Sequence, residues 1–472
     1  MWRPLFIVLA VWAAIYLPGL GSLEIKGEEG RRILPAITML ETGNYIVPQV
    51  GGEPYFRKPP LVNWLVAASF KLTGQRNEWT ARLPSVLCIL AVALAFISVA
   101  RATLGANGSL IAALMWLANL GMIEKGRLIE IEALYVSLFG LAIICWLSWW
   151  EQRRSRWIVW TVPWLFLGLG WLAKGPLHVF FFYAIVVGVL VAEGQTRQIW
   201  NAAHLMGVAL MLGIFAAWAV PCLQIMRQSH VAALWGRQLS GRLGGDDFKL
   251  SSWLMNIPRG LAYFLPWLVA VPLARRAQLE SSRDKNILRG LVGGIAVPFL
   301  IVNLMPSALP RYTMPLLVPA CIAVATVLRT GNGLWANWVR TPQRRGRVVL
   351  GIAIATGVAM CIFALAVVPQ LQGREKVKPI AAQIDAAIPV GEPLYAVDPD
   401  YQPFLFYTRG PIVYASRLDE LPRKARYLLV QSGKEQEVAS SELWSPSRPR
   451  PVLRLTDYRD RAVVLFEIAQ HE

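Results

Sequence analysis

Charged residues are scarce in this chain of 472 residues: Asp, Glu, Lys and Arg make up 16% of it, against about 25% in an average soluble domain. Hydrophobic residues make up 55%, and they gather in runs close to the roughly 20 residues that a spanning helix needs. The composition excludes an ordinary soluble protein and predicts a polytopic membrane protein. Because lipid offers the backbone no hydrogen-bond partners, the spans are expected to be helices.

Cysteine is also sparse, and its placement excludes two further classes. The five cysteines lie in apolar runs, without the spacing of a disulfide framework or a metal site; they are Cys88, Cys145, Cys222, Cys321 and Cys361. The net charge of +18 comes from basic residues scattered through short loops. No basic, aromatic-interleaved element stands out, so nucleic-acid binding is not indicated.

Apolar runs predict an all-α polytopic membrane protein with about eleven transmembrane helices. The runs lie near residues 4–22, 83–101, 107–123, 129–150, 157–173, 176–192, 200–222, 259–274, 290–305, 313–328 and 348–368. The first run is interpreted as a retained span rather than a cleaved signal peptide, because many spans follow it.

The loops between the runs differ in charge, and this difference predicts the topology. Short basic clusters at 151–156, 274–289 and 340–347 are expected to be cytoplasmic by the positive-inside rule. The longer, mixed loops at 23–82 and 223–258 then face outward. With a cytoplasmic N-terminus and an odd number of spans, the C-terminal segment is extracytoplasmic as well.

The composition changes near residue 371, which divides the chain into a transmembrane domain (1–370) and a C-terminal domain (371–472). An amphipathic helix is predicted first, ending at Pro-Val-Gly. Short β-like runs separated by turn residues follow; they are PLYAV, IVYAS, ARYLLVQ, PVLRLTDY and RAVVLFEI. We expect a small extracytoplasmic α/β domain.

The loop at 23–82 carries the most suggestive chemistry. Two carboxylates, Glu28 and Glu29, stand among basic residues in KGEEGRR, and YFRKPP follows about thirty residues later with Lys58. A short helix ending at Thr-Gly-Asn is predicted between them. About sixty residues are too many for a plain connector. The alternative interpretation is an amphipathic segment lying at the membrane interface.

Other polar residues are predicted on the same outward side. Carboxylates and cations on one membrane face suit an anionic, lipid-linked substrate. A purely structural interpretation stays open, in which the acids lie just outside the hydrocarbon, Lys174 snorkels to the interface and His178 is a packed core histidine. The candidates are Glu130, Glu132, Lys174, Arg242, Arg311 and Tyr312.

These motifs resemble those of the membrane glycosyltransferases of the protein O-mannosyltransferase and aminoarabinose transferase superfamily, which has the GT-C fold. The resemblance is closest over 27–64, where the acidic pair, Arg31 and two longer motifs match without a gap: MLETGNYIVP and YFRKPPLVNW. Four further motifs follow in the family's order, and the match covers roughly residues 1–330; the motifs are NEWTARLPSVL, LAKGP, YFLPW and LPRYTMPLLVP.

The resemblance implies an inverting glycosyltransferase of the plasma (inner) membrane with a periplasmic C-terminal domain. It implies a polyprenyl-phosphate-linked sugar donor and a lipid, glycan or protein acceptor, without a cofactor. By position Glu28 is the catalytic carboxylate, and Glu130 or Glu132 matches a second-loop acid. The residues expected to organise the acid or bind the donor phosphate are Arg31, Lys58, Lys174, Arg242 and Arg311, with Tyr312 near the site.

One departure from the family concerns the catalytic acid, which is usually Asp there and is Glu28 here. The extra methylene moves the carboxylate by about 1.5 Å, and a misplacement near 1 Å can cost about a hundredfold in rate. Either the backbone compensates or Glu29 takes the role.

Two other functions compete with sugar transfer. A transporter or flippase predicts broken helices paired in two halves and charges near the bilayer midplane, whereas the charges here gather at the outer ends. A non-catalytic scaffold predicts that Glu28 is dispensable. The sugar and the acceptor have no readable signature.

A second departure predicts that the purified protein binds no zinc. Aminoarabinose transferases pair a Glu just before the motif Lys with a His in the large outer loop; those positions hold Arg57 and Leu239 here. Neither side chain is a zinc ligand. Mass-spectrometric metal analysis that finds stoichiometric zinc would contradict this expectation.

Overall fold

A computed structural model describes residues 2–226, 249–269, 279, 281–306, 308–330, 339–444 and 448–469. The chain forms two compact units. The membrane unit comprises Met1–Pro18, Arg57–Val62 and Leu83–Ala364, and the sheet unit comprises Gly19–Phe56, Asn63–Arg82 and Leu365–Glu472. The sheet unit therefore takes in most of the predicted outer loop together with the C-terminal segment.

The described residues are mostly helical. The helices are α1 (Trp2–Tyr16), α2 (Gly30–Thr42), α3 (Leu61–Thr73), α4 (Glu78–Ser98), α5 (Arg101–Leu117), α6 (Leu120–Gly126), α7 (Ile131–Glu151), α8 (Arg156–Ala173), α9 (Leu177–Ala192), α10 (Ala202–Ile225), α11 (Leu250–Leu254), α12 (Asn256–Ala262), α13 (Ser282–Leu304), α14 (Leu317–Thr330), α15 (Pro342–Ile362), α16 (Val368–Gln372), α17 (Val377–Ala387) and α18 (Glu435–Ala439).

Six helical stretches are long and apolar enough to cross a membrane, which agrees with a multi-pass membrane protein. They are Glu78–Ser98, Ile131–Glu151, Ala202–Ile225, Ser282–Leu304, Pro310–Thr330 and Pro342–Gln372. The consecutive helices α5 and α6 add a seventh if the pair, bent by 52°, counts as one span. Shorter apolar helices occupy the expected spans at 4–22 and 176–192. The predicted number of eleven spans remains a prediction.

The expected span at 259–274 is not one continuous helix over the residues that the structure describes. Helix α12 ends at Ala262, and a 3₁₀ turn at Trp267–Val269 follows. Pro266 accounts for the break, since proline lacks a backbone donor and disfavours helical geometry at the residue before it.

Tight aromatic packing fills the core of the membrane unit between α7, α8 and α9. Trp146 and Trp164 are fully buried, and both contact the ring of Phe182, with centroids 6.3 and 5.5 Å away. Fully buried aromatic rings contribute large apolar areas and favour such edge-on contacts. This packing holds the three helices α7, α8 and α9 against one another.

The short helix predicted before Thr-Gly-Asn is present as α2. It ends at Gly43, whose φ of 71° lies in the left-handed region that glycine adopts without strain. The Gly43 N–H donates to the Met39 carbonyl at 3.0 Å. The acidic pair directly precedes this helix, within a 3₁₀ turn at Gly27–Glu29.

The C-terminal helix and all five β-like runs are found. The strands are β3 (Leu394–Val397), β4 (Ile412–Ala415), β5 (Tyr427–Gln431), β6 (Arg450–Thr456) and β7 (Ala462–Glu467), after a two-stranded ribbon of β1 (Gln49–Val50) and β2 (Glu53–Pro54). The sheet order is β4-β3-β5-β7-β6. The first three strands pair parallel, while β5 with β7 and β7 with β6 pair antiparallel.

Helix α17 begins on a carboxylate that lies far away in the sequence. Glu24 is buried and accepts the N–H groups of Lys376, Val377 and Lys378 at 3.1, 2.9 and 3.1 Å. These are donors that the first turn of a helix leaves unsatisfied, and a negative charge is favoured there. The start of the outer loop is thereby tied to the C-terminal segment within the sheet unit.

The acidic pair is anchored by Arg82, in the first turns of α4. Its guanidinium donates to both carboxylate oxygens of Glu29 at 2.9 Å, and the two side chains are only 3% and 4% exposed. The same group donates to three backbone carbonyls, those of Leu20, Leu23 and Glu24. One buried cation therefore fixes the path of the chain leading to Glu28.

Replacing Arg82 with Leu is expected to lower the free energy of unfolding by about 3–5 kcal/mol, because Glu29 would be left as a buried charge without its partner. The double variant Arg82→Leu/Glu29→Leu should lose less than Arg82→Leu alone. Denaturation of the purified protein, followed by intrinsic fluorescence, measures both. Equal losses in the single and double variants would contradict the coupling.

Candidate active site

The two neighbouring acids differ in their surroundings. Glu28 is 42% exposed, and its two oxygens both accept from Nη1 of Arg31 at 3.0 Å. Glu29 is buried against Arg82. An acid that reacts with a substrate must be reachable by it, whereas a buried, doubly bonded carboxylate serves to hold structure. The geometry therefore gives the pair one accessible member, Glu28.

Arg31 is itself held by a tyrosine from the C-terminal segment of the sheet unit. Its Cζ lies 3.7 Å from the centroid of the Tyr401 ring, at stacking distance. Arg459 lies over the same ring at 4.3 Å and donates to the tyrosine hydroxyl. Tyr401 is buried. Two cations thus enclose one ring, and the first of them binds Glu28.

Arg459 is fixed in turn by Asp457, in the β6–β7 turn. The Asp457 carboxylate accepts the N–H of Arg459 at 2.7 Å and the amide of Gln402 at 2.7 Å. Burial acts to raise the pKa of Asp457, but these bonds and those from Arg461 lower that pKa below its ordinary value. The Asp457 carboxylate, which binds the backbone of Arg459 next to Tyr401, is therefore ionised at neutral pH.

A second polar cluster lies in the membrane unit, around Glu132. This buried carboxylate is in the first turn of α7, where a negative charge is favoured. Its Oε1 lies 3.0 Å from Nζ of Lys174 and 3.3 Å from Nε of Arg311. Lys174 directly follows the last residue of α8, where a cation is favoured. Two cations thus share one carboxylate oxygen.

Aromatic rings surround the ammonium group of Lys174. Its Nζ lies 4.7 Å from the ring centroid of Tyr312 and 5.2 Å from that of Tyr135. Tyr135 also accepts the backbone N–H of His178 at 2.8 Å. The ring nitrogens of His178 lie 2.9 and 2.7 Å from backbone carbonyls, so this histidine is part of the packed core.

Glu130 belongs to a neighbouring group of charges. It lies 3.3 Å from Nζ of Lys125, which also pairs with Glu124 at 3.0 Å. Of the two acids predicted for this loop, Glu132 contacts Lys174 and Arg311, two of the predicted phosphate ligands, while Glu130 pairs with Lys125.

The contacts described above do not include two of the predicted phosphate ligands, Lys58 and Arg242. Lys58 lies half-buried in the membrane unit, three residues before α3 begins. Arg242 falls in 227–248, outside the described residues, as does Leu239 of the metal comparison. Among the residues that are described, no group of three or more His, Cys, Asp or Glu side chains could hold a metal ion.

Sequence reasoning did not identify two residues that contact the acidic turn and the start of α2, Arg82 and Tyr401. Arg82 lies in the motif NEWTARLPSVL, but a single arginine beside an apolar run does not reveal its partner. Tyr401 lies outside every motif. Their contacts with residues 20–31 span 53 or more positions, a separation that no local pattern reports.

The family model of dolichyl-phosphate-mannose-protein mannosyltransferases matches residues 57–220. Among curated proteins, the chain is 25% identical over 351 residues to an undecaprenyl phosphate-alpha-4-amino-4-deoxy-L-arabinose arabinosyl transferase of Pseudomonas aeruginosa, covering 72% of this chain and 60% of that protein. A Proteus mirabilis transferase of the same name is 25% identical over 294 residues, or 61% of this chain and 52% of the relative. The chain thus spans about 60% or less of these relatives' length.

Solved structures give the same fold. ArnT from Cupriavidus metallidurans bound to undecaprenyl phosphate superposes with a TM-score of 0.72 at 19% identity, covering 98% of this chain and 97% of that one. Its apo state gives 0.69 at 18% identity, with the same coverage. The family match and the curated relatives support the resemblance of this chain to the protein O-mannosyltransferases and aminoarabinose transferases, and the solved structures show that it shares the fold of ArnT.

Proposed function

We propose that this protein transfers a sugar from a polyprenyl-phosphate-linked donor to an acceptor at the extracytoplasmic face of the membrane. The observation that carries the proposal is the pair of cations on Glu132. Lys174 and Arg311 bring two positive charges to one carboxylate oxygen, and an anionic ligand would balance the excess. The relatives named for undecaprenyl-phosphate aminoarabinose transfer support a lipid phosphate as that ligand.

The cations bind the donor phosphate. Lys174 and Arg311 supply an ammonium and a guanidinium, and Tyr312 limits where the ammonium can lie. Lys58 and Arg242 complete the set by their match to the family motifs. Glu132 holds the cations in place without neutralising both of them. Clamping the phosphate makes it a good leaving group, because the negative charge that develops on it is already balanced.

Glu28 is the base. Its carboxylate takes the proton of an acceptor nucleophile while that atom bonds to the anomeric carbon from the face opposite the phosphate. The bond between the anomeric carbon and the phosphate oxygen breaks, polyprenyl phosphate leaves, and the anomeric configuration inverts. Glu29 positions its neighbour through Arg82, and Arg31 orients the reacting carboxylate.

The acceptor is a lipid, a glycan or a protein side chain. The short basic loops support a cytoplasmic N-terminus, which puts Glu28 and the sheet unit on the outer side of the plasma (inner) membrane. Resemblance to named transferases favours this function over a transporter or a flippase.

Profiling the lipids and glycans of a deletion strain would identify the product that disappears and the lipid-linked sugar that accumulates.

Replacing Glu28 with Gln is expected to lower product formation by about 10²–10⁴-fold, since the amide cannot accept the proton. The deletion strain complemented with each variant provides the measurement, read as product recovered and donor accumulated. Glu28→Asp is the matched control, because it keeps the base and moves it by one methylene. Wild-type product from Glu28→Gln, at equal protein level, would refute the role.

Replacing Tyr401 with Leu removes the ring on which Arg31 rests, and we expect a loss of about 10- to 100-fold in product formation from a displaced Glu28. Tyr401→Phe keeps the ring and loses only the hydroxyl contact with Arg459, so it should stay within about threefold of wild type. Equal activity of the Leu and Phe variants at equal protein level would show that the ring does not position the acid.

A further inference from the structure

A cavity of about 460 Å³ opens in the membrane unit beside Arg311. Its volume lies within the range of about 300–1,000 Å³ that is typical of ligand sites. The polar groups on its wall are Glu124, Arg259, Tyr263 and Arg311, and apolar residues such as Leu120 and Leu309 complete it. The proposed transfer chemistry uses neither Arg259 nor Tyr263, and Arg259 lies outside every motif.

Hydrogen bonds join the segments that form the cavity wall. The N–H groups of Leu120 and Gly121, at the start of α6, donate to the carbonyls of Leu265 and Tyr263 at 2.9 and 3.3 Å. A Cβ at Gly121 would lie only 3.0 Å from atoms of Tyr263, so the two segments pack closely. At the start of α12, Asn256 is buried and donates to the Ala308 carbonyl at 3.1 Å. Such bonded walls favour a preformed site.

Positive charge dominates the polar part of this wall. Arg259 is exposed, and no carboxylate among the described residues lies within ion-pair distance of it. Arg311 shares Glu132 with Lys174. The one carboxylate on the wall, Glu124, lies 3.0 Å from Lys125. The wall therefore carries two guanidinium groups, of which Arg311 is paired with Glu132, and one carboxylate, Glu124, which is paired with Lys125.

The chemistry of the wall selects an anion that belongs to a lipid. Guanidinium groups bind phosphate through paired N–H donors, and a tyrosine hydroxyl can donate a further hydrogen bond. Leu120, on the wall, is 47% exposed, and Leu254 and Met255, just before α12, are 59% and 51% exposed. Exposed apolar side chains beside a cationic cavity suit a headgroup whose acyl or prenyl chains continue into the bilayer.

We propose that this cavity binds the phosphate of a glycolipid or polyprenyl-phosphate headgroup, with Arg259 as the ligand that no motif indicates. The proposal rests on the proposed sugar transfer only for its choice of lipids. A phosphorylated acceptor lipid and the lipid-phosphate donor present the same chemical group. Arg259 and Arg311 both line the cavity, and both guanidinium groups bind that phosphate.

The test measures lipid binding to the purified full-length protein in detergent by native mass spectrometry. The probes are undecaprenyl phosphate, diphosphorylated lipid A and dephosphorylated lipid A. Arg259→Gln is expected to weaken binding of at least one phosphorylated probe by about 10- to 100-fold, the effect of losing a charge-assisted hydrogen bond. The probe that is weakened identifies the source of the phosphate: donor, acceptor or both.

Arg289→Gln is the matched control. Arg289 is also exposed, lies within α13 and has no carboxylate within ion-pair distance among the described residues. It should leave every affinity within twofold of wild type, as should Arg259→Gln with dephosphorylated lipid A. Unchanged affinity of Arg259→Gln for both phosphorylated probes would overturn the proposal, as would an equal loss in Arg289→Gln.

Binding and transfer fail separately in this design. If the protein transfers no sugar but Arg259→Gln weakens its binding of phosphorylated lipid, the proposed function is refuted and the lipid site is retained. If the protein transfers sugar but Arg259→Gln binds both phosphorylated lipids with wild-type affinity, the proposed function is retained and the lipid site is refuted.

Discussion

The guanidinium of Arg82 is the group on which the setting of the acidic pair depends. A buried cation is tolerated only when its donors are satisfied, and here the acceptors are both oxygens of Glu29 and three carbonyls between Leu20 and Glu24. The chain before α2 has to follow the path that supplies those acceptors. Glu28 is thereby left at the surface of its turn with Arg31 as its partner.

In the polar cluster of the membrane unit, a buried carboxylate is likewise paired with cations, but here two cations share one acid. Glu132 and Lys174 lie at helix ends whose partial charges favour them, and Arg311 joins the same carboxylate. One acid between two cations holds their positions without cancelling their charge. In the sheet unit a buried acid and a buried cation neutralise each other, so that pair provides support. In the membrane cluster two cations share one carboxylate oxygen, and this is the arrangement that we propose for binding a lipid phosphate.

Sequence reasoning succeeded where the signal was local. Residues 377–387 and the five strands were readable because their apolar periods and turn residues lie within a few positions of one another. Apolar runs likewise predicted most of the long helices. The run expected to span at 259–274 is not one continuous helix over its described part, because it contains Pro266.

Long-range pairing was beyond the sequence. The pattern Glu28-Glu29 does not indicate which acid is buried, since that depends on Arg82, 53 positions beyond Glu29. The resemblance identified Glu28 by its place in a motif, and the geometry adds a physical reason for the difference between the two acids. Tyr401 carried no signal at all, because its contact with Arg31 crosses most of the chain.

The capping of α17 by Glu24 has a consequence for biosynthesis. The carboxylate of residue 24 receives its first α17 donor from residue 376, 352 positions later, and the Ile25 N–H likewise finds its acceptor at Tyr407. At about 5–20 residues per second, translation separates these partners by roughly 20–70 s. During that interval the segment before α2 has Arg82 as a partner but lacks its contacts with the C-terminal segment. The membrane helices are therefore synthesised before the surroundings of Glu28 are complete. Those surroundings are completed only when the last hundred residues, which include Tyr401, have been synthesised.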